Sequence, residues 1–293
     1  MARPGLGALS EDLRDALEAG AARTPLDPAG GGTWIAVWAW SCLVVGLTLL
    51  LACGYHGGFA RINGWASAHP AWVWQWLTAL GDERVPFALS LFIARHRPRL
   101  FWALVLGALA ATAYSRGLKP LFDLPRPPGV LPADQIHLVG RALRRMSFPS
   151  GHSVTAGVFF GVLVYYAKGT ATRALWVGAA SLVGLSRVAV GVHWPLDVAF
   201  GLLGGVLAAW VGARLAAHWP APAVDPSIHL AFVTLACFLT VTLTYRDGGY
   251  SLAGPLLATL GSAALAYTVI VYAVRPAVAA FRRAPPRPGA SPP

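Results

Sequence analysis

Six titratable side chains stand out in this sequence because so much around them is apolar. Lys119 is followed after six residues by Arg126-Pro127, then comes Phe148-Pro149-Ser150-Gly151-His152. Ser186-Arg187 is followed after five residues by His193, and after three more by Asp197. These groups interrupt a chain that is 56% hydrophobic. Ionisable groups beside membrane-spanning helices are costly, so they are functional candidates by default. Three cations with no acidic majority nearby suggest an anion, and two histidines suggest proton or group transfer.

Lys119 offers a mobile point charge, while Arg126 and Arg187 can each fork two donors onto neighbouring oxygens. Ser150-Gly151-His152 reads as a helix start: the serine caps it and the glycine lets a ligand approach the backbone. Free N–H groups there, with the helix dipole, favour a phosphate oxygen. Taken singly, each cation reads first as a snorkelling side chain. Three of them bracketing a capped helix start read as a phosphate site. Pro195 suits the first turn of a helix, which puts His193 just before it and Asp197 one turn in. The aspartate can hold one imidazole nitrogen as N–H and free the other as a nucleophile; the bland alternative is an interfacial histidine at a helix start. His152 has no carboxylate at helical spacing and in its cationic form can donate a proton to a leaving oxygen. A satisfied helix-start histidine is an equal reading until the other motifs are counted.

The elements that must position these residues are membrane spans. Apolar runs at 34–54, 81–95, 100–116, 150–167, 174–190, 195–217, 228–245 and 251–274 read as eight transmembrane helices. Residues 1–32 lie outside the membrane, with a short helix capped by Ser10 and carrying Leu9, Leu13 and Leu17 on one face. The first apolar run begins near Thr33, which predicts no cleavable signal peptide. The tryptophan-rich 55–80 suits an interfacial segment, with the second span entering just after Asp82-Glu83-Arg84. Gly201, Gly205 and Ala209 lie one turn apart and permit close helix approach. The tail 275–293, rich in proline and arginine, reads as disordered.

Only 12% of the 293 residues are charged and mean hydropathy is +0.57, which excludes an ordinary soluble domain. The formal charge of +11 sits in short loops between apolar runs, so anionic lipid fits it better than nucleic acid. Cys42, Cys53 and Cys237 form no zinc or redox pattern, and no EF-hand or Walker motif is present. No metal and no cofactor is expected. Loop arginines and lysines place the N-terminus inside and the loop 117–149 outside, although Arg141, Arg144 and Arg145 pull the other way.

Counted together, Lys119-x6-Arg126-Pro127, Pro149-Ser150-Gly151-His152 and Ser186-Arg187-x5-His193-x3-Asp197 resemble the three-part signature of the type 2 phosphatidic acid phosphatase (PAP2) superfamily. The resemblance implies an all-α polytopic membrane bundle with a six-span core at 33–217; the chain departs from that core by an additional transmembrane hairpin at 218–274. It implies a metal-independent lipid phosphatase in which His193 attacks phosphorus, Asp197 orients it and His152 protonates the leaving group. Lys119, Arg126, Ser150, Gly151 and Arg187 would then hold the phosphoryl oxygens. The expected substrate is a lipid phosphate or diphosphate at the outer face of a bacterial inner membrane. Undecaprenyl diphosphate is favoured over phosphatidate, phosphatidylglycerophosphate and lipid A phosphate because the site is expected to face outward. A lipid-to-lipid phosphotransferase and a non-catalytic lipid-binding or transport protein are the alternatives. The added spans leave open a dimer contact, and so a homo-oligomer, a lipid channel or a substrate preference.

Overall fold

The computed structural model describes residues 6–283, and among these all regular structure is helical. The first helices are α1 (Leu6–Ala22), α2 (Gly31–Cys53), α3 (Phe59–Ser67), α4 (Ala71–Ala79), α5 (Arg84–Ile93) and α6 (Pro98–Phe122). A single turn, α7 (Pro127–Val130), lies in the long loop before α8 (Gly151–Tyr166), α9 (Thr170–Ala189) and α10 (Pro195–His218). A hairpin of α11 (Pro226–Val241) and α12 (Gly254–Val269) follows, and α13 (Arg275–Arg283) ends the described chain.

Among the described residues, five helical segments are long and apolar enough to cross a membrane: Gly31–Cys53, Pro98–Val130, Pro195–His218, Pro226–Thr244 and Ser251–Ala279. The expected spans at 81–95, 150–167 and 174–190 are helices α5, α8 and α9, of 10, 16 and 20 residues. At 1.5 Å per residue α5 is only about 15 Å long, roughly half the hydrocarbon thickness. Its start is set by Asp82, whose carboxylate accepts the Arg84 N–H at 3.0 Å and the Arg84 guanidinium at 2.7 and 2.8 Å. The Asp82–Arg84 pair therefore neutralises itself inside the bundle and breaks the chain between α4 and α5, while Glu83 between them is exposed.

Two further differences concern the ends. The N-terminal helix begins by Leu6, so Ser10 lies inside it rather than capping it; alanine and leucine ahead of the serine favour continuing the helix. Leu13 and Leu17 are buried, as their shared face requires. Residues 275–283 are helical rather than disordered, and the rest of the expected disordered tail, 284–293, lies outside the described residues.

The core is organised on α10, which packs against α8, α6 and α2. A Cβ at Gly205 would stand 2.3 Å from the Val154 carbonyl oxygen and 2.8 Å from Gly157 Cα. One at Gly201 would meet the Ser150 carbonyl oxygen at 2.8 Å. The two backbones are thus in contact, as small residues at one-turn spacing permit. This crossing sets the start of α8 beside the start of α10. The C-terminal hairpin packs elsewhere, with Val233, Ala236, Leu257 and Ala264 closing over Ala88 and Leu91 of α5.

Candidate active site

The loop between α6 and α8 folds back on itself. Arg126 N–H donates to the Arg144 carbonyl at 2.9 Å and Ser147 N–H to that of Leu124 at 2.8 Å. Carbonyls of the returning arm then hold both cations of the first charged stretch. Arg126 Nε donates to Arg145 O at 2.8 Å and Nη2 to Met146 O at 3.2 Å. Lys119 Nζ donates to Met146 O at 3.2 Å and Pro149 O at 3.1 Å. Carbonyl oxygens, not carboxylates, satisfy these charges, so their positive field is left uncancelled and available to an anion.

His193 lies in the turn before α10, 2% exposed. Its Nδ1 is 3.2 Å from Asp197 Oδ2 and its Nε2 is 3.0 Å from Arg126 Nη1. A guanidinium only donates, so the nitrogen facing it must present its lone pair. The proton then sits on Nδ1, toward the carboxylate. Asp197, fully buried, is saturated as an ionised acceptor. Oδ2 also accepts Ser147 Oγ at 2.5 Å and Trp194 N–H at 2.9 Å, and Oδ1 accepts the Tyr55 hydroxyl. Burial, reinforced by the charges of Arg126, Arg187 and Lys119, holds the His193 pKa well below the usual histidine value. The ring is therefore a free base at neutral pH. Burial and the neighbouring Asp197 charge push the Tyr55 phenol upward, which keeps it a donor.

The middle stretch meets the last one through the backbone: Ser150 N–H donates to the Asp197 carbonyl at 3.1 Å. The Ser150 hydroxyl caps α8 by accepting from Ser153 N–H at 3.4 Å. Gly151 faces Lys119, whose Cε would be 3.9 Å from a Cβ placed there. Arg187, 2% exposed, donates from Nη1 to the Thr78 hydroxyl and to the Tyr250 hydroxyl at 2.8 Å. Lys119, Gly151 and His152 border a cavity of about 690 Å³ that also contains Asp82. The wall of this cavity follows one face of α6 from Phe101 to Lys119, about 27 Å at 1.5 Å per residue, and is otherwise mostly apolar.

All eight residues singled out in the sequence thus gather around the start of α8 and of α10. Five partners were not anticipated: Tyr55, Ser147, Thr78 and Tyr250, which bond to members of that set, and Asp82, which shares the cavity with His152. Ser147 lies beside the Phe148–His152 stretch, and that adjacency was the one available signal. Of the three loop arginines that pull against the expected orientation, Arg145 pairs with Asp123, while Arg141 and Arg144 are exposed. Among the described residues no group of three or more His, Cys, Asp or Glu side chains is arranged to hold a metal ion.

A family model described as the PAP2 superfamily matches residues 99–221, the stretch that carries this constellation, and the chain belongs to that superfamily. It is 43% identical over 77 residues to the bacitracin transport permease protein BcrC of Bacillus licheniformis, covering 26% of this chain and 34% of that one. It is 42% identical over 72 residues to a lipid A 1-phosphatase of Rhizobium johnstonii, covering 23% and 29%. The chain thus spans about a third of the length of the curated relatives it matches. The crystal structure of Aquifex aeolicus LpxE aligns at 31% identity over 53% of this chain and 91% of that one, with a TM-score of 0.48.

Proposed function

We propose that this protein is an integral membrane phosphatase that hydrolyses a lipid phosphate or diphosphate through a phosphohistidine on His193. The observation that carries this reading is the held imidazole, with Nδ1–H on Asp197 and the Nε2 lone pair directed at a guanidinium. An entering phosphoryl group draws Arg126 Nη1 from Nε2 to one of its own oxygens. Lys119, Arg187 and the N–H groups at the start of α8 take the others. The Nε2 lone pair forms a bond to phosphorus as the P–O bond to the lipid breaks, and His152 gives its proton to the departing oxygen. Water then attacks phosphorus and the P–N bond electrons return to Nε2, with His152 recovering a proton from that water. Positioning and electrostatic stabilisation supply most of the acceleration in such transfers.

The long apolar wall of the cavity beside Lys119 and His152 supports a substrate with an extended hydrocarbon chain. Eight membrane crossings, with α4 and α5 together forming the second, and a site at the outer face of a bacterial inner membrane complete the reading. Loop charge supports that orientation, and it favours undecaprenyl diphosphate among the candidates. The purified protein is expected to release phosphate from a panel of such lipids in EDTA and to be inhibited by orthovanadate. His193→Ala is expected to lower turnover by about a thousandfold or more; undiminished release by that variant removes the proposed nucleophile. The transport name of the Bacillus relative favours a second reading, a lipid-handling protein without chemistry, which multiple-turnover phosphate release excludes.

A further inference from the structure

The mechanism above uses nothing from the C-terminal hairpin, yet the hairpin's outer turn reaches Arg187. Two elements outside the charged signature hold that guanidinium. Nη1 donates to Thr78 Oγ1 on α4 and to the Tyr250 hydroxyl, and its central carbon lies 5.8 Å from the centre of the Tyr250 ring. Tyr250 is itself buried and is tightly framed. Gly248 and Gly249 turn the chain at φ of 68° and 91°, a conformation that glycine adopts without strain. Gly249 N–H bonds to Asp247 Oδ1 at 2.8 Å. Gln75 Oε1 accepts Leu252 N–H and Trp76 Nε1 donates to Leu252 O, both at 2.9 Å. Gly140 of the long loop lies so close that a Cβ there would come within 2.9 Å of both Gly249 O and the Tyr250 ring.

The other side of Arg187 is different. Its Nε–H is buried and has no partner. A guanidinium presents Nε and Nη2 on one edge, spaced to meet two oxygens of a tetrahedral anion. A buried donor without an acceptor is costly, and in this chain it belongs to a residue whose opposite nitrogen is already tied twice.

We infer that, granting the phosphatase reading, Tyr250 is a positioning residue for that reaction. With Thr78 it clamps Nη1 so that the Nε–Nη2 edge of Arg187 is ordered before a phosphoryl group arrives. The C-terminal hairpin is then part of the active site, contributing through its outer turn. Ordering the donor in advance removes that entropy loss from the binding step.

Tyr250→Phe keeps the ring and removes only the hydroxyl. It is expected to weaken orthovanadate binding to the full-length protein roughly tenfold, and to lower kcat/KM on a lipid phosphate by a similar factor. In an Arg187→Ala background the same change is expected to do nothing further, because its effect passes through Arg187. A merely structural role would lower thermal stability and multiply with Arg187→Ala. Wild-type orthovanadate affinity in Tyr250→Phe, or multiplying effects in the double variant, overturns the inference. Should Tyr250→Phe fail to fold, Thr78→Val removes the other acceptor at nearly constant shape, and wild-type affinity there overturns it equally. A wild-type chain that binds orthovanadate but turns over no lipid phosphate sinks the phosphatase reading, and the titrations still report on the clamp. A chain that binds no orthovanadate sinks both.

Discussion

Helix α10 and the C-terminal hairpin are similarly apolar, yet they are used in opposite ways. Of the most apolar stretch of α10, 72% is buried within the protein, against 28% for each of the two hairpin segments. Backbone contacts at Gly201 and Gly205 hold α10 against α8, so there is little freedom in where Asp197 and His193 sit relative to Ser150. The hairpin shafts instead leave Leu235, Phe238, Val269 and Ile270 exposed, on a surface suited to lipid. What ties the hairpin to the proposed chemistry is polar and confined to the turn between α11 and α12. The core positions the site through its helix bodies, the hairpin through one loop.

The largest effect that can test this contrast is steric. Gly205→Leu drives a side chain into the Val154 carbonyl and Gly157, and is expected to cost at least about 3 kcal/mol of stability, beyond ordinary overpacking because backbone must move. Thermal unfolding in detergent measures it, and a stable, active variant would mean that the α8–α10 contact is not what fixes the site. A smaller effect concerns protonation. Burial and the cations disfavour the His193 imidazolium, so the acid limb of kcat/KM is expected below the usual histidine value of about 6.5. Arg126→Gln takes away one of those charges, and the limb should move toward higher pH in a pH–rate profile, alongside the loss of rate from a missing phosphate donor. An unmoved limb would mean that Arg126 adds little to the depression, leaving it to burial and the remaining cations. The smallest effect belongs to the hairpin shaft: Phe238→Ala, at a residue 70% exposed, is expected to change stability by no more than about 0.5 kcal/mol and to leave phosphate release unchanged. A clear loss of activity would extend the hairpin's role beyond its turn.

The charged members of the site were legible because of their surroundings. A lysine, two arginines and an aspartate amid apolar runs are expensive to place and so point to a use, and Pro195 marked the helix start that puts His193 beside Asp197. The neutral partners carried no such mark. Tyr55, Thr78, Ser147 and Tyr250 are ordinary residues for membrane helices and their loops. Asp82 was read as the polar entrance to a span, whereas it is paired with Arg84 inside the bundle, where a complementary guanidinium removes most of the penalty.

Residue type and order by themselves determined the helical membrane class, the superfamily and the eight residues on which the chemistry is proposed, because burying charge and exposing apolar surface are penalties that each residue carries locally. Only the tertiary structure decided which nitrogen of His193 faces Arg126, which hydroxyls hold Asp197 and Arg187, and that the last hairpin touches the site at Tyr250. Those contacts join residues as far as 142 positions apart, and a hydrogen bond between a neutral side chain and a distant charged one leaves no periodicity in the chain that makes it.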